Sequence, residues 1–444
     1  MCASLLSARR RQAVSKPKPK RKRGLPLSRL VALPAGLDGA EHSACSRVAL
    51  GDLTRLALTL VPAGRGAFHE QALEIMAGLK AILAKEPAPM TVTVQTVFLR
   101  HAADQAECEA LFRAHYGLEL PVTNFVIQPP CSGAALALEA WAVAGESVRI
   151  ERFGPQALAV SCEGARWVYC GGIKPPATLQ GAYAQTLEAL ARMNAALRLA
   201  GCSFQQTLRT WFYLEGITRP EAATWRYQEL NRARSDFYRD IPFCSPLFRP
   251  QCPQSPYPAS TGIGMSAASL LVSCVALETR REDALLFSLE NPQQTPAYAY
   301  HPKYSSQSPK FSRAMALMLG GYMTTWISGT ASIVSSESCH PGDIEKQTEQ
   351  TIDNIQRLIS HENFAAHGVP GAGARFEDLA KIRVYLKRPE DLAKCRAICT
   401  RRFGTIPAIY AVADVCRPEL LVEIEGVAFS PCSLPAADLE TGKH

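Results

Sequence analysis

Apolar positions along this chain alternate between two spacings. From Gly66 to Glu86 they fall at Ala72, Leu73, Ile75, Met76, Leu79, Ile82 and Leu83, the rhythm of a helix with one buried face. Thr91–Leu99 then reads as a strand, Asp104–Tyr116 as a second helix, Pro121–Gln128 as extended chain and Ala135–Val143 as a strand. That order returns. The middle of the chain predicts strand Val168–Ile173, helix Gln185–Ala200, strand Arg209–Leu214, helix Ala222–Arg239 and strand Ser269–Ala276. The last part predicts strand Thr325–Ile333, helix Ile344–His361, strand Ala380–Leu386 and helix Glu390–Phe403, then two strands around a turn at Arg417-Pro418-Glu419. The pattern predicts an α+β fold built from three copies of a sheet-plus-two-helix unit, over 46–150, 151–290 and 305–432. The stretch from Glu290 to Pro302 reads as a linker or lid, and residues 1–45 as a tail.

Composition changes this picture little. The chain has 444 residues, 47% hydrophobic and 20% charged, as in ordinary globular proteins. No run of apolar residues is long enough to span a membrane. The net charge of +8 comes from the tail, where residues 9–23 are rich in lysine and arginine and contain no acidic residue. A nucleic-acid role would rest on that tail alone. Fifteen cysteines, an odd number and scattered, predict reduced thiols and a cytoplasmic protein. Neither Cys244 and Cys252 nor the Cys339-His340 pair completes a four-ligand set, so no metal is expected.

The closing strand carries the sharpest chemistry. In Leu420-Leu-Val-Glu-Ile-Glu-Gly426, Glu423 and Glu425 share one parity among apolar neighbours. A carboxylate there must be paired or protonated, and a raised pKa suits a general acid. The repeats separate the two. Glu425 matches Glu139 in the first copy, whereas the place of Glu423 holds Ala137 there and, by the Leu-Leu-Val match, Ser273 in the second. Glu425 therefore reads as framework and Glu423 as an addition.

The unit Gly-Gly-Ile173, helix ending Ala-Gly201, strand Phe-Tyr-Leu214 and Pro258-Ala-Ser-Thr261 resembles the Rid (YjgF-like) family. Those proteins are homotrimers with small-molecule sites at subunit clefts, which implies that three copies in one chain form a monomeric pseudo-trimer. Tyr257-Pro-Ala-Ser-Thr-Gly-Ile-Gly264, Ser308-Pro-Lys-Phe-Ser-Arg-Ala314, Ile327-Ser-Gly-Thr-Ala-Ser-Ile333 and Leu420–Gly426 together are similar to the chorismatase family. This second resemblance spans about residues 90–432. It implies cofactor-independent cleavage of chorismate to pyruvate and a ring acid. Glycine at 329 and cysteine at 416 are the residues of members that make 3-hydroxybenzoate, while hydrolytic members carry alanine-like residues there. A branch making 3- and 4-hydroxybenzoate together stays open.

On that resemblance Glu423 protonates the enolpyruvyl methylene carbon. Cys416 either shuttles a proton or shapes the pocket. A dicarboxylate substrate asks for cations. Arg234 with Tyr227 is the first choice, followed by Arg226 on the same helix, Lys310 and Arg313 in a closing loop, and Tyr213, Thr261 and Gly262 as hydrogen-bonding groups. Two rivals remain. One is a Rid-type imine hydrolase, whose arginine position here holds Ile409; the other is a metabolite-binding protein without catalysis.

Overall fold

The computed structural model describes residues 43–221, 223–243, 247, 257–300 and 307–432. The basic tail, Cys244 and Cys252 lie outside these residues. The first sheet contains β1 (Ser43–Leu50), β2 (Leu53–Leu60), β3 (Thr91–Leu99), β4 (Val122–Val126) and β5 (Leu136–Ala144), with α1 (Phe68–Leu83) and α2 (Gln105–Tyr116). The second contains β6 (Arg149–Arg152), β7 (Ala157–Cys162), β8 (Ala165–Ile173), β9 (Thr207–Glu215), β12 (Ala259–Met265) and β13 (Leu270–Thr279). Its helices are α3 (Ala182–Leu199) and α4 (Arg226–Tyr238), and a small hairpin of β10 (Pro220–Glu221) and β11 (Thr224–Trp225) precedes α4. The third contains β14 (Leu285–Leu289), β15 (Ala314–Leu319), β16 (Tyr322–Ala331), β19 (Leu379–Leu386), β20 (Ala408–Val412) and β21 (Val422–Pro431). It carries α5 (Ile344–Ile359), α6 (His361–Ala366), α7 (Leu392–Phe403) and a hairpin of β17 (Ile333–Val334) and β18 (Glu337–Ser338).

Strand order repeats. It runs β1-β2-β5-β3-β4, then β6-β7-β8-β13-β9-β12, then β14-β15-β16-β21-β19-β20. In each sheet the last strand is parallel to its neighbour and the other pairs are antiparallel. Mixed sheets with helices make the fold α+β, as expected. Two details differ from the expectation. β1 starts at Ser43, within the stretch read as tail. β14 lies in the stretch given to the second copy, yet it pairs with β15 of the third sheet. The two closing strands do not pair with each other; β19 lies between β20 and β21.

Helix ends follow local chemistry. Asp343 accepts a hydrogen bond from the Lys346 N–H at 3.0 Å and caps α5, and Gly404 leaves α7 at a φ of +74°, which a side chain would resist. Each sheet buries one face under its helices. The opposite faces meet in a shared interior with two apolar layers. One holds Trp167, Trp326 and Phe429; the other holds Phe98, Tyr213, Leu271 and Tyr385. Along the inner face of β21, Val427 and Phe429 join the first layer and Glu423 reaches the second. Glu425 falls between them, in a charged layer.

Candidate active site

Pairing registers make the three sheets directly comparable. Tyr385 faces Glu423, Tyr213 faces Leu271 and Phe98 faces Ala137, while Arg383, Trp211 and Thr96 face Glu425, Ser273 and Glu139. The place of Glu423 is therefore taken by Leu271 in the second sheet. The string match to Ser273 slips by two residues because β13 begins at Leu270, the first residue of its Leu-Leu-Val, whereas β21 begins at Val422, the third residue of its own. Ser273 aligns with Glu425 instead. The first-sheet match to Ala137 agrees with the register, and in neither sheet is the residue a carboxylate.

The two glutamates sit in opposite electrostatic settings. Glu425 accepts from Arg209 at 2.6 Å and Trp211 at 2.9 Å, from the Thr261 hydroxyl, and lies 3.1 Å from Arg383. Arg209 and Arg383 hold its carboxyl below the ordinary value despite burial. Glu139 is ligated by Lys381 and Arg383 and is lowered to about 2. Together these residues form the charged layer.

The side-chain carboxyl of Glu423, a residue 4% exposed, makes no hydrogen bond among the described residues. Burial, then the negative charge of Glu425, pushes it up to about 8, against the pull of Arg209 and Arg313. At neutral pH it is a carboxylic acid, because no cation is close enough to offset its desolvation.

That acid opens onto a cavity between the second and third sheets. α4 contributes Tyr227, Asn231 and Arg234, whose four- and seven-residue spacing puts them on one face. β12 contributes Ser260 and Gly262, β16 Gly329 and Ala331, and the β20–β21 connection Cys416 and Arg417. Tyr300, Phe311 and Arg313 complete much of the wall. β12 and β16 are joined by Ser260 N–H to Ser328 Oγ at 2.9 Å and Gly329 N–H to Thr261 Oγ1 at 2.9 Å. Gly262 lets Tyr227 approach β12 closely, since a Cβ there would lie 3.0 Å from Tyr227 Cε2.

Two buried guanidinium groups face this space without a carboxylate in ion-pair range among the described residues. Arg234, 1% exposed, donates to Asn231 Oδ1 at 2.6 Å and Ser260 Oγ at 3.3 Å. Arg313 donates to the Tyr300 hydroxyl at 2.5 Å and the Thr295 carbonyl at 3.3 Å. The Nε of each is buried with no partner among the described residues. Buried cations left this way are costly unless a ligand supplies the anions. Cys416 is pushed up to about 12, by burial and then by Glu423, so it stays a thiol. Tyr227 is raised by burial and stays a neutral phenol.

Four of the sequence candidates lie elsewhere. Arg226 pairs with Glu221 at 2.7 Å and donates to the Glu215 carbonyl at 2.7 Å, tying the small hairpin to β9. The Tyr213 hydroxyl accepts from Arg383 at 2.6 Å, in the shared interior. Thr261 turns its hydroxyl toward Glu425, since alternate residues of β12 face opposite ways. Lys310 sits beside the lining, 5.8 Å from the Tyr257 ring centroid. The sequence reading missed Asn231, Ser260, Tyr300, Phe311 and Arg417. The helical spacing from Tyr227 and Arg234 pointed to Asn231, and strand parity to Ser260 in place of Thr261. For Tyr300 and Phe311, in irregular chain, no periodic signal existed.

No group of three or more His, Cys, Asp or Glu side chains fit to hold a metal occurs among the described residues, and no described helix is long and apolar enough to cross a membrane.

No family model matches the sequence. A 3-hydroxybenzoate synthase of Streptomyces hygroscopicus is 32% identical over 297 residues, covering 65% of this chain and 80% of that protein. A chorismatase of Streptomyces rapamycinicus is 33% identical over 226 residues, covering 49% of this chain and 63% of that one. A RutC family protein of Pyrococcus abyssi is 31% identical over 90 residues, 20% of this chain and 63% of its own length. Among solved structures, a chorismatase crystal structure superposes with a TM-score of 0.59 at 23% identity, covering 76% of this chain and 93% of the other. On the length and identity of the first of these matches, with the same fold in the solved structure, the chain belongs to the chorismatase family, within the Rid-like superfamily.

Proposed function

We propose that this chain cleaves chorismate, releasing pyruvate and forming 3-hydroxybenzoate, with Glu423 as the acid. The observation that carries the reading is the cavity itself: a neutral, buried carboxylic acid beside two buried guanidinium groups that have no carboxylate in ion-pair range among the described residues. Its chemistry matches what the named relatives' substrate requires. Chorismate carries two carboxylates and an enolpyruvyl ether. Proton transfer from Glu423 to the ether's methylene carbon generates an oxocarbenium ion, which the new carboxylate then stabilises. Hydroxybenzoate and pyruvate together contain all the atoms of chorismate, so this outcome consumes no water, whereas hydrolysis to the dihydrodiol adds one.

Arg234 and Arg313 are assigned to the substrate carboxylates, with Tyr227 and Asn231 shaping the α4 side. Cys416 is assigned to aromatisation or to pocket shape as a neutral thiol. Glycine at 329 and cysteine at 416 favour 3-hydroxybenzoate over hydrolysis, and formation of some 4-hydroxybenzoate fits the same residues. The three sheets are read as three units of a pseudo-trimer, with the site in the cleft between the second and third. In the other two clefts the place of the acid is apolar, Leu271 or Ala137, and the position of Thr261 is held by Asn124 or Ile409. The experiment is incubation of purified protein with chorismate followed by chromatographic separation of the ring acids. Pyruvate with 3-hydroxybenzoate is expected; folded protein that releases no pyruvate overturns the reading.

Arg234→Gln tests the substrate assignment. Loss of a buried charge-assisted contact should raise KM about a hundredfold, with a smaller change in kcat. Thermal stability should not fall, because the variant removes a desolvated cation that has no carboxylate partner among the described residues. An unchanged KM would remove Arg234 from the binding site.

A further inference from the structure

Thr261 occupies a junction that the cleavage chemistry does not by itself require. Its hydroxyl donates to the Glu425 carboxylate, and its oxygen receives Arg209 Nη2 at 2.5 Å and the Gly329 N–H at 2.9 Å. It is 1% exposed and does not line the cavity. Gly329 lies in the bulge of β16, where pairing with β21 slips between Ile327 and Thr330. A Cβ built on Gly329 would stand 2.0 Å from Glu423 Oε1 and 3.2 Å from Thr261 Cγ2. The backbone of Gly329 is thus a wall against which the acid rests, and Thr261 holds the N–H of that wall.

The same construction occurs once more. In the second sheet β8 pairs irregularly with β13, and the Gly172 N–H donates to Asn124 Oδ1 at 2.8 Å. By register Asn124 is the first sheet's counterpart of Thr261, as Thr96 pairs with Asn124 and Trp211 with Thr261. There, among the described residues, no carboxyl group lies beside the glycine. A side-chain oxygen holding a bulge is therefore a framework device, and in the second cleft of the chain it is joined to an ion pair on one side and an acid on the other.

We propose that Thr261 is a positioning residue: fixed by the Glu425–Arg209 ion pair, it sets the Gly329 bulge and thereby the placement of the Glu423 carboxyl group toward substrate. This rests on the reading of Glu423 as the acid. The bulge moves if its N–H loses its acceptor, and displacement of a reacting group by about 1 Å costs up to about a hundredfold in rate.

Steady-state pyruvate release is measured for wild type, Thr261→Val and Thr261→Ser, alongside thermal midpoints. Thr261→Val keeps the shape and removes the hydroxyl; kcat is expected to fall at least about tenfold while KM changes less than about twofold. Thr261→Ser keeps the hydroxyl and should stay within about threefold of wild type. A purely structural role would lower kcat only as far as it lowers the folded fraction. The inference is overturned if Thr261→Val retains wild-type kcat, or if Thr261→Ser loses as much as Thr261→Val. Should Thr261→Val not fold, Thr261→Ala makes the same comparison against Thr261→Ser. Failure of wild type to release pyruvate would instead sink the underlying reading, so the two failures are distinguishable.

Discussion

Glu423→Gln should lower pyruvate release from chorismate about a thousandfold, the scale of a lost general acid, while substrate binding stays within a few-fold. Glutamine matches the carboxyl group in shape and cannot deliver its proton to carbon. The same variant makes a second, opposite prediction about stability. Glu423 titrates near 4.5 when unfolded and near 8 when folded, so the folded state holds the extra proton between those values. Stability from this group is complete below about pH 4.5 and is lost as pH rises through about 8. The thermal midpoint of Glu423→Gln relative to wild type should therefore climb from pH 5 to pH 9, by an amount on the order of a few kcal/mol in stability. A variant that is inactive and also less stable at pH 9 would indicate that Glu423 is a paired structural carboxylate.

The second large effect is expected at Gly329. An alanine methyl would sit 2.0 Å from Glu423 Oε1, far inside van der Waals contact, and the backbone there is held by Thr261. The methyl cannot retreat, so the carboxyl group must turn away. Gly329→Ala should cut 3-hydroxybenzoate formation about a hundredfold and raise the share of the hydrolytic dihydrodiol. Chromatography of the ring acids reads both. Retention of wild-type rate and product would mean that the glycine serves only the β16 bulge. The first group an alanine methyl at 329 crowds is therefore the acid itself.

Much of the fold was legible because the strands that matter are buried on both faces and the helices are amphipathic. Thr91–Leu99 and Gln105–Tyr116 fall within a residue of their expected limits. Strands at sheet edges were less visible. β1, β6 and β14 pair on one side only and depend on their partners more than on their own pattern, so nothing in their short sequences marked them.

The site was legible where periodicity or repetition reported on it. Strand parity put Glu423 and Glu425 on one face, and comparison of the copies separated a framework glutamate from an added one. What the sequence could not supply was the partner of each charge. Arg226 and Arg234 share a helix and a residue type, yet one meets Glu221 and the other, among the described residues, meets no carboxylate. Arg209, Lys381 and Arg383, which form the charged layer, come from two different sheets. Contacts such as that of Arg209 with Glu425, 216 residues apart, leave no local pattern, and they help set the electrostatic contrast between Glu423 and Glu425.

The central claim is that one buried carboxyl group acts in its protonated form. The pH dependence of kcat/KM for pyruvate release tests it most directly, because that quantity follows ionisations of the free enzyme. The rate should be flat on the acid side through the ordinary carboxylate range near 4.5 and fall along a single alkaline limb centred near pH 8, the value to which burial and Glu425 push Glu423. A rate that instead rises with pH through the range near 4.5 would mean that the carboxylate acts as a base, and would contradict the account.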